Sequence, residues 1–431
     1  MSNLIQIVDS QNEITAAAQR LRECVRLREL TPLRVIEVLE RWGTALHGPA
    51  LDIIPGVPFL RLWLRRGTLE LIVVQELGPS ALKGQWRGER GARLRVFPQG
   101  VVGHWPAGNI EIQPLLSLSC ALLGGNAGIV RVPAGLLEQT GAMLEKLQEV
   151  DEEGVLTERI FIASFDHARE DLQRAMAASV DGAMIWGGEE AVAQIRALPF
   201  PHWARLAVFG PRLSVAAMDG ECWGDENDRE SWCRRIARDV WQFDQQACSS
   251  PQTLFLERRD GCDAEAFVRA LAAALETENR THPRQDIHPA LTSAICLART
   301  SWLLNAAAHR AVFPTTPDWT LLIGAGPDIP QPTQGRTLSV LVVDELSEPI
   351  ARFGGVVQTL GLAVRNVAKE AALAEAAGRN GVDRIVKLGR MHVFGSPWDG
   401  ADLLRPMVRL VRHMPANSGE DSTRQGLETH S

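Results

Sequence analysis

The sequence predicts an α/β protein built on a doubly wound parallel sheet. From residue 93 to residue 209, short apolar runs with the length of strands alternate with longer amphipathic segments with the length of helices. The preceding stretch is helical in its periodicity, and a second mixed unit follows residue 225. At 431 residues the chain exceeds one ordinary core and fits two or three domains.

The N-terminal segment, residues 1–90, is predicted to be helical. Apolar residues recur at three- and four-residue spacing in 14–27 and in 33–46, which is typical of helices with one buried face. Residues 59–77 have a mixed pattern that fits either a helix or a strand.

A dinucleotide-binding domain is predicted for residues 91–225. Its strands are expected at 94–97, 129–132, 159–163, 183–186 and 206–209, and its helices at 112–123, 136–150, 168–178 and 191–198. In a sheet of this kind, ligands bind at the carboxyl ends of the strands. Architecture alone does not establish a function.

A catalytic domain is predicted for residues 226–414. Helices are expected at 230–243, 264–278, 289–305 and 403–411, and strands at 253–257 and 338–344. The polar residues 415–431 are predicted to form a disordered tail.

Composition narrows the class of function. The net charge of −7 provides no basic footprint for a nucleic acid. The sequence contains neither an apolar run of roughly 18 residues nor the pattern of a signal peptide, so we expect a cytoplasmic protein without a membrane span. The seven cysteines form no CxxC pair, which argues against a metal site and against a disulfide framework. The absence of tyrosine removes the Tyr-Lys chemistry of short-chain dehydrogenases.

Cys248 lies in a small polar turn, within the sequence FDQQACSSPQTLF at 243–255, between a predicted helix and a predicted strand. A cysteine in such a turn is placed to act as a nucleophile. The alternative is a cysteine that is buried as a small apolar residue, as most free cysteines are.

Asn109 ends the segment GHWPAGN at 103–109. Its side-chain amide can donate a hydrogen bond to an oxyanion at any pH, and the backbone amide of Cys248 is a second candidate donor. The alternative for Asn109 is a turn residue after Gly108. Together with Cys248, this segment suggests thioester chemistry.

The cofactor-binding candidates are weaker. No GxGxxG follows a strand; the nearest feature is Trp186-Gly187-Gly188 at a strand-to-helix junction, where backbone amides can hold a pyrophosphate or the glycines can simply make a tight turn. Arg131 is either a ligand-binding group at a strand end or a surface charge. His392 is a candidate proton donor, with a structural role as its alternative.

These motifs resemble those of the acyl-CoA reductases related to the reductase subunit of the bacterial luminescence fatty-acid reductase complex (the LuxC family), within the aldehyde dehydrogenase superfamily. The resemblance rests on VVGHWPAGN at 101–109, LLGGNA at 122–127 and CSSPQ at 248–252, and extends from about residue 27 to residue 412. It implies an aldehyde-dehydrogenase-like α/β fold and a homo-oligomer.

The resemblance also implies roles for individual residues. Cys248 falls at the nucleophile, Asn109 at the oxyanion-hole asparagine, and Arg131 at a lysine that contacts the cofactor's adenine ribose. Residues 186–188 fall at the turn that opens the cofactor-side helix.

Two departures from the superfamily pattern are informative. Val208 stands near the place of the glutamate that activates the deacylating water, so hydrolysis of an enzyme thioester should be slow. Ala134 replaces a glutamate that often binds the ribose hydroxyls in NAD-preferring members. A carboxylate there would repel a 2′-phosphate, so its absence beside Arg131 favours NADPH, with NADH as the alternative.

The sequence therefore predicts NAD(P)H-dependent reduction of an acyl thioester, held on CoA or on a carrier, to an aldehyde through an acyl-cysteine intermediate. One alternative is a CoA-acylating aldehyde dehydrogenase working in the oxidative direction. Another is a non-catalytic subunit that binds an acyl group or a nucleotide in a multienzyme complex. An acyl-transferring ligase or a carrier protein is the partner that the resemblance suggests.

Overall fold

The structure of the chain is a computed structural model that describes residues 4–89, 91–284, 287–304, 310–393 and 395–415. The chain forms two compact units. The first unit comprises Met1–Gly210 and Gly395–Ser431, and the second comprises Pro211–Phe394.

Helices and strands follow one another along both units. The helices are α1 (Gln11–Leu27), α2 (Pro32–Ala45), α3 (Pro49–Asp52), α4 (Val57–Trp63), α5 (Arg66–Leu77), α6 (Gln113–Leu123), α7 (Leu137–Val150), α8 (Glu170–Ala178), α9 (Glu189–Arg196), α10 (Gly220–Trp223), α11 (Glu226–Trp241), α12 (Ala264–Thr281), α13 (Pro289–Leu304), α14 (Ser347–Ile350) and α15 (Val367–Arg379). The strands are β1 (Ile5–Ile7), β2 (Arg87–Glu89), β3 (Ala92–Pro98), β4 (Val101–Trp105), β5 (Ala127–Arg131), β6 (Ile160–Ser164), β7 (Gly182–Trp186), β8 (Arg205–Phe209), β9 (Leu213–Met218), β10 (Pro251–Glu257), β11 (Arg310–Val312), β12 (Thr320–Ala325), β13 (Thr337–Val343), β14 (Val357–Ala363), β15 (Arg384–Lys387) and β16 (Val408–His413).

The main sheet of the first unit is parallel, with the strand order β1-β6-β5-β4-β7-β8. Every residue of β4 is buried, as expected of a central strand that is covered on both faces. The order places β4 between β5 and β7, so the carboxyl ends of these three strands meet at one edge. The predicted doubly wound α/β sheet is confirmed.

A smaller antiparallel sheet in the first unit has the order β16-β3-β2. The predicted strand 94–97 therefore exists as part of β3, but it does not join the parallel sheet. The predicted helix 403–411 is wrong, because residues 408–413 pair with β3 as a strand. The carboxylate of the buried Glu76 accepts hydrogen bonds from the backbone amides of Leu403 and Leu404, at 3.1 and 2.6 Å, which fixes the approach to this strand.

The sheet of the second unit has the order β11-β12-β13-β10-β9-β14-β15, with parallel pairing except between β11 and β12. The predicted segments 1–90, 91–225 and 226–414 do not coincide with the two compact units. The reasons are that β9 pairs with β10, the strand that follows Cys248, and that β16 returns to the first unit.

The structure decides one prediction that the sequence left open, and two others extend beyond the described residues. The ambiguous residues 59–77 are helical, in α4 and α5. Residue 305, the last of a predicted helix, and residues 416–431 of the predicted tail lie outside the described residues. Within the described part of the chain, no helix has the length and apolar character needed to cross a membrane.

Candidate active site

Cys248 lies in the second unit, in the turn that joins α11 to β10, and it is exposed. Exposure does not fit the alternative in which this cysteine fills a core. Its backbone carbonyl accepts a hydrogen bond of 2.6 Å from the Ser214 hydroxyl, on β9. The turn is closed by a hydrogen bond of 2.9 Å from the Ser250 amide to the Ala247 carbonyl.

The three residues Phe243, Asp244 and Gln245 have φ angles of 55°, 50° and 62°. Consecutive side-chain-bearing residues in the left-handed region are uncommon, and each costs on the order of 1–3 kcal/mol unless its surroundings impose it. Asp244 is fixed by the Arg336 guanidinium, whose Nε donates at 2.7 Å. The segment before Cys248 is therefore held in a strained conformation.

The buried side chain of Gln245 also holds this segment in place, through hydrogen bonds to Pro251 and Thr337. Its Nε2 donates to the carbonyls of Pro251 and Thr337 at 2.7 and 2.9 Å. Its Oε1 accepts from the Thr337 amide at 2.6 Å. Both ends of the turn that carries Cys248 are thereby tied to the central strands β10 and β13.

His392 is buried, and its Nδ1 lies 2.9 Å from the Ser249 hydroxyl while its Nε2 lies 2.8 Å from the Asp239 carbonyl. Burial lowers the pKa of His392 to about 4, so the ring is neutral near pH 7. Burial also raises the pKa of the Asp239 carboxyl to about 7, against hydrogen bonds from the Gly389 and Met391 amides. The contacts of His392 are with buried groups next to Cys248 and are not those of an exposed proton donor.

The remaining predicted site residues lie in the first unit, at or just after the carboxyl ends of β4, β5 and β7. Asn109 is exposed in the loop that follows β4. The same loop is held by Gln113 of α6, whose Oε1 accepts from the Ala107 amide at 2.7 Å.

Arg131 is the last residue of β5. Its guanidinium carbon lies 5.7 Å from the centre of the Phe165 ring. Its Nε is buried and has no hydrogen-bond partner among the described residues. Burial lowers the pKa of this guanidinium, while the charge of Asp166 raises it. An unsatisfied buried donor at a strand's carboxyl end suits an anionic or hydroxyl-bearing ligand.

Trp186 ends β7, and its ring stacks on Phe209 with the ring centres 3.8 Å apart. Gly187 follows with a φ of +158°, which side-chain-bearing residues rarely adopt, and Gly188 is the N-cap of α9. The first turn of α9 contains Glu189 and Glu190. Because these carboxylates would repel a phosphate, the helix start is a poorer pyrophosphate site than the two glycines alone suggested.

A buried pair beneath Trp186 was not identified from the sequence. The indole Nε1 donates to Ser117 Oγ at 3.0 Å, and the same oxygen lies 2.8 Å from His104 Nδ1. Burial lowers the pKa of His104 to about 3, so its ring is neutral. The signal available in the sequence was the polar pair His104 and Ser117 within the mainly apolar elements β4 and α6.

The structure thus groups Asn109, Arg131 and residues 186–188 at one edge of the first unit's sheet and places Cys248 in the second unit. Among the described residues, no cluster of His, Cys, Asp or Glu side chains could hold a metal ion.

Comparison with known proteins identifies a family and several relatives that match most of this chain. The model of the family described as acyl-CoA reductase (LuxC) matches residues 29–410. A long-chain acyl-protein thioester reductase from Photorhabdus luminescens is 26% identical over 365 residues, which cover 81% of this chain and 70% of the relative. A protein of the same name from Vibrio harveyi is 24% identical over 350 residues, covering 79% and 69% of the two chains.

Solved structures agree on the fold. An aldehyde dehydrogenase from Brucella melitensis biovar abortus superposes with a TM-score of 0.70 at 15% identity, over 94% of this chain and 89% of that one. An indole-3-acetaldehyde dehydrogenase from P. syringae, in complex with NAD+, superposes with a TM-score of 0.70 at 14% identity, over 93% and 88%. The aldehyde-dehydrogenase-like fold is confirmed.

Proposed function

Since the chain belongs to the acyl-CoA reductase (LuxC) family, we propose that it reduces an acyl thioester to an aldehyde through an acyl group held on Cys248. The observation that carries this proposal is the exposed thiol of Cys248 on a turn that is anchored on both sides. The relatives named long-chain acyl-protein thioester reductases support the reaction class.

In the acylation step, the Cys248 thiolate attacks the carbonyl carbon of the thioester. A new C–S bond forms, the bond to the donor sulfur breaks, and the donor thiolate leaves and takes up a proton. The tetrahedral intermediate carries a negative oxygen that needs hydrogen-bond donors. We assign this role to the backbone amide of Cys248 and, by resemblance, to the side-chain amide of Asn109.

A nicotinamide cofactor, when bound, supplies the hydride that releases the acyl group from Cys248 as an aldehyde. The unsatisfied buried Nε of Arg131 fits a ligand that lies against this edge of the sheet. We propose that Arg131 and residues 186–188 hold the cofactor, with residues 186–188 contacting a part of it other than the pyrophosphate, which Glu189 and Glu190 would repel. Arg131 with Ala134, which adds no negative charge, favours NADPH over NADH.

Retention of the acyl group is expected because Val208, which by resemblance stands near the place of the superfamily's glutamate, is not a base. A valine side chain cannot take a proton from water, so we expect the acyl-enzyme to persist until reduction. The donor is proposed to be acyl-CoA or an acyl-protein thioester, with an acyl-transferring ligase or carrier protein as the partner. We also propose that the protein acts as a homo-oligomer in the cytoplasm.

The test is intact-protein mass spectrometry after incubation with acyl-CoAs of graded chain length, without nucleotide and then with NADPH. Wild-type protein should gain one acyl mass on Cys248, and NADPH should remove it with release of the aldehyde. Cys248→Ala should gain no adduct. Cys296→Ser is the matched control, since Cys296 is also exposed, and it should behave as wild type.

The contrary results are distinct. Aldehyde formation by Cys248→Ala would exclude the acyl-cysteine route. Failure of wild-type protein to form an adduct with acyl-CoAs and with an acylated carrier protein would favour a non-catalytic binding subunit.

A further inference from the structure

A chain of two hydrogen bonds lies directly behind the nucleophile turn. Ser249, the residue after Cys248, is fully buried, and its Oγ lies 2.9 Å from His392 Nδ1. His392 Nε2 lies 2.8 Å from the backbone carbonyl of Asp239, on α11. The chain connects the turn to the last part of the helix that precedes it.

The direction of both hydrogen bonds follows from the chemistry of the carbonyl. A carbonyl oxygen can only accept, so Nε2 of His392 carries the proton and donates to Asp239. Nδ1 of a neutral ring is then a lone pair, and the Ser249 hydroxyl donates to it. The neutral ring is maintained by burial. Ser249 therefore has one defined rotamer and one defined partner.

His392 is itself held from several directions. The edge of its ring contacts Phe243, with centroids 5.5 Å apart, and Phe243 begins the strained left-handed segment. The carboxylate of Asp239 accepts from the amides of Gly389 and Met391 at 2.7 and 3.3 Å, which fixes the backbone that carries the histidine. A side chain held this firmly can orient what it binds.

We propose that His392 is a positioning residue for Cys248, acting through Ser249. The inference rests on the proposed function of Cys248 as the acylated nucleophile. Ser214 fixes the carbonyl of Cys248 from β9, and His392 fixes the side chain of the following residue, so together they hold the peptide plane that joins Cys248 to Ser249. The position of that plane limits where the sulfur of Cys248 can point, while His392 does not touch the substrate.

The experiment compares two reactions of the same thiol. Iodoacetamide alkylates an exposed cysteine in many orientations, whereas attack on a thioester requires the sulfur and the oxyanion donor to be aligned. A misplacement of about 1 Å can cost on the order of 100-fold in an oriented reaction. Alkylation of Cys248 is followed by peptide mass spectrometry, and acylation is followed with the acyl-CoA that labels wild-type protein fastest.

Three variants test the two hydrogen bonds of this chain separately. Ser249→Ala removes the hydroxyl, and His392→Gln keeps a donor for Asp239 but loses the acceptor for Ser249. His392→Asn places an acceptor near the position of Nδ1 and serves as the conservative rescue. We expect acylation to fall by about 10- to 100-fold in the first two variants and by less in the third, while alkylation changes by less than about 3-fold in all three.

The outcomes separate this inference from the proposed function. Acylation at the wild-type rate in Ser249→Ala and His392→Gln would overturn the positioning role alone. Equal losses of acylation and alkylation, with a lowered unfolding midpoint, would also overturn it in favour of a purely structural role. Alkylation of Cys248 in wild-type protein, without acylation by acyl-CoAs or by an acylated carrier protein, would overturn the proposed function and this inference with it.

Discussion

Gln245 and Thr337 are joined by a reciprocal pair of hydrogen bonds. The side-chain carbonyl of Gln245 accepts from the Thr337 amide at 2.6 Å, and its side-chain amide donates to the Thr337 carbonyl at 2.9 Å. A glutamine thus pairs with the start of β13 much as a neighbouring strand would. This contact ties the segment that leads into Cys248 to the sheet of the second unit.

Replacing Gln245 with alanine should destabilise the protein by about 2–4 kcal/mol, because buried backbone groups of Thr337 and Pro251 lose their partners. Urea unfolding measures this change. Gln85→Ala removes an exposed glutamine and should change the free energy of unfolding by less than about 0.5 kcal/mol. Equal effects of the two substitutions would contradict the anchoring role of Gln245.

The cysteines should differ in reactivity according to burial. N-ethylmaleimide should label Cys248 and Cys296 first, because both are exposed. Burial raises the pKa values of the Cys222 and Cys233 thiols to about 12, so thiolate is scarce there and labelling should require unfolding. Peptide mapping at increasing reaction times measures the order. Early labelling of Cys233 would show that the core around it opens in the native protein.

The alternating part of the fold was predictable because its pattern is local. Strands buried on both faces appear as short apolar runs, and this signal located β5 to β7 within a few residues. The partly exposed edge strand β8 carries a similar run, and the amphipathic spacing located α6 to α9 equally well. The strand β16 was missed because residues 403–411 carry apolar side chains at helical spacing. The carboxylate that sets this backbone belongs to Glu76, more than three hundred positions earlier, and no local pattern reveals it.

Prediction of the site was also limited to features that a local sequence pattern reveals. The polar turn around Cys248 was visible in the sequence, and its exposure fits the predicted nucleophile. The left-handed segment was not visible, because Phe243 and Gln245, on either side of Asp244, are not residues that signal a positive φ. The pairs Ser249–His392 and Ser117–His104 join residues 143 and 13 positions apart, which only the folded chain brings together.

Cofactor preference should respond to charge at Ala134. Ala134→Glu places a carboxylate three residues after Arg131, at the start of the turn that follows β5. We expect kcat/KM with NADPH to fall by about tenfold relative to NADH, because a carboxylate repels a 2′-phosphate and about 1.4 kcal/mol corresponds to a factor of ten. Steady-state kinetics with both cofactors measures the ratio.

Ala134→Gln is the matched control for that substitution, because glutamine has nearly the size of glutamate without its charge. Its cofactor ratio should stay within about threefold of wild type. A shift of equal size in the two variants would assign the effect to bulk at this position and would remove the argument for NADPH from charge.

Acid should destabilise the first unit through His104. Its folded-state pKa of about 3 lies below its ordinary value of 6.5, so the unfolded chain binds a proton between these pH values and the folded chain does not. Stability is therefore lost as the pH falls from 6.5 towards 3, by up to about 1.4 kcal/mol per pH unit. His104→Asn retains a polar group near Ser117 without titrating, so its free energy of unfolding should depend less steeply on pH.

Ser117→Ala provides the control, since it keeps the imidazole but removes the oxygen that His104 and the Trp186 indole share. This variant should be less stable than wild type by about 1–3 kcal/mol, because a buried indole N–H loses its acceptor, and it should keep the wild-type pH dependence. Urea unfolding at pH 4, 5, 6 and 7 measures the three slopes. If His104→Asn shows the wild-type slope, the acid sensitivity arises from other groups, and His104 is protonated in the folded protein without cost.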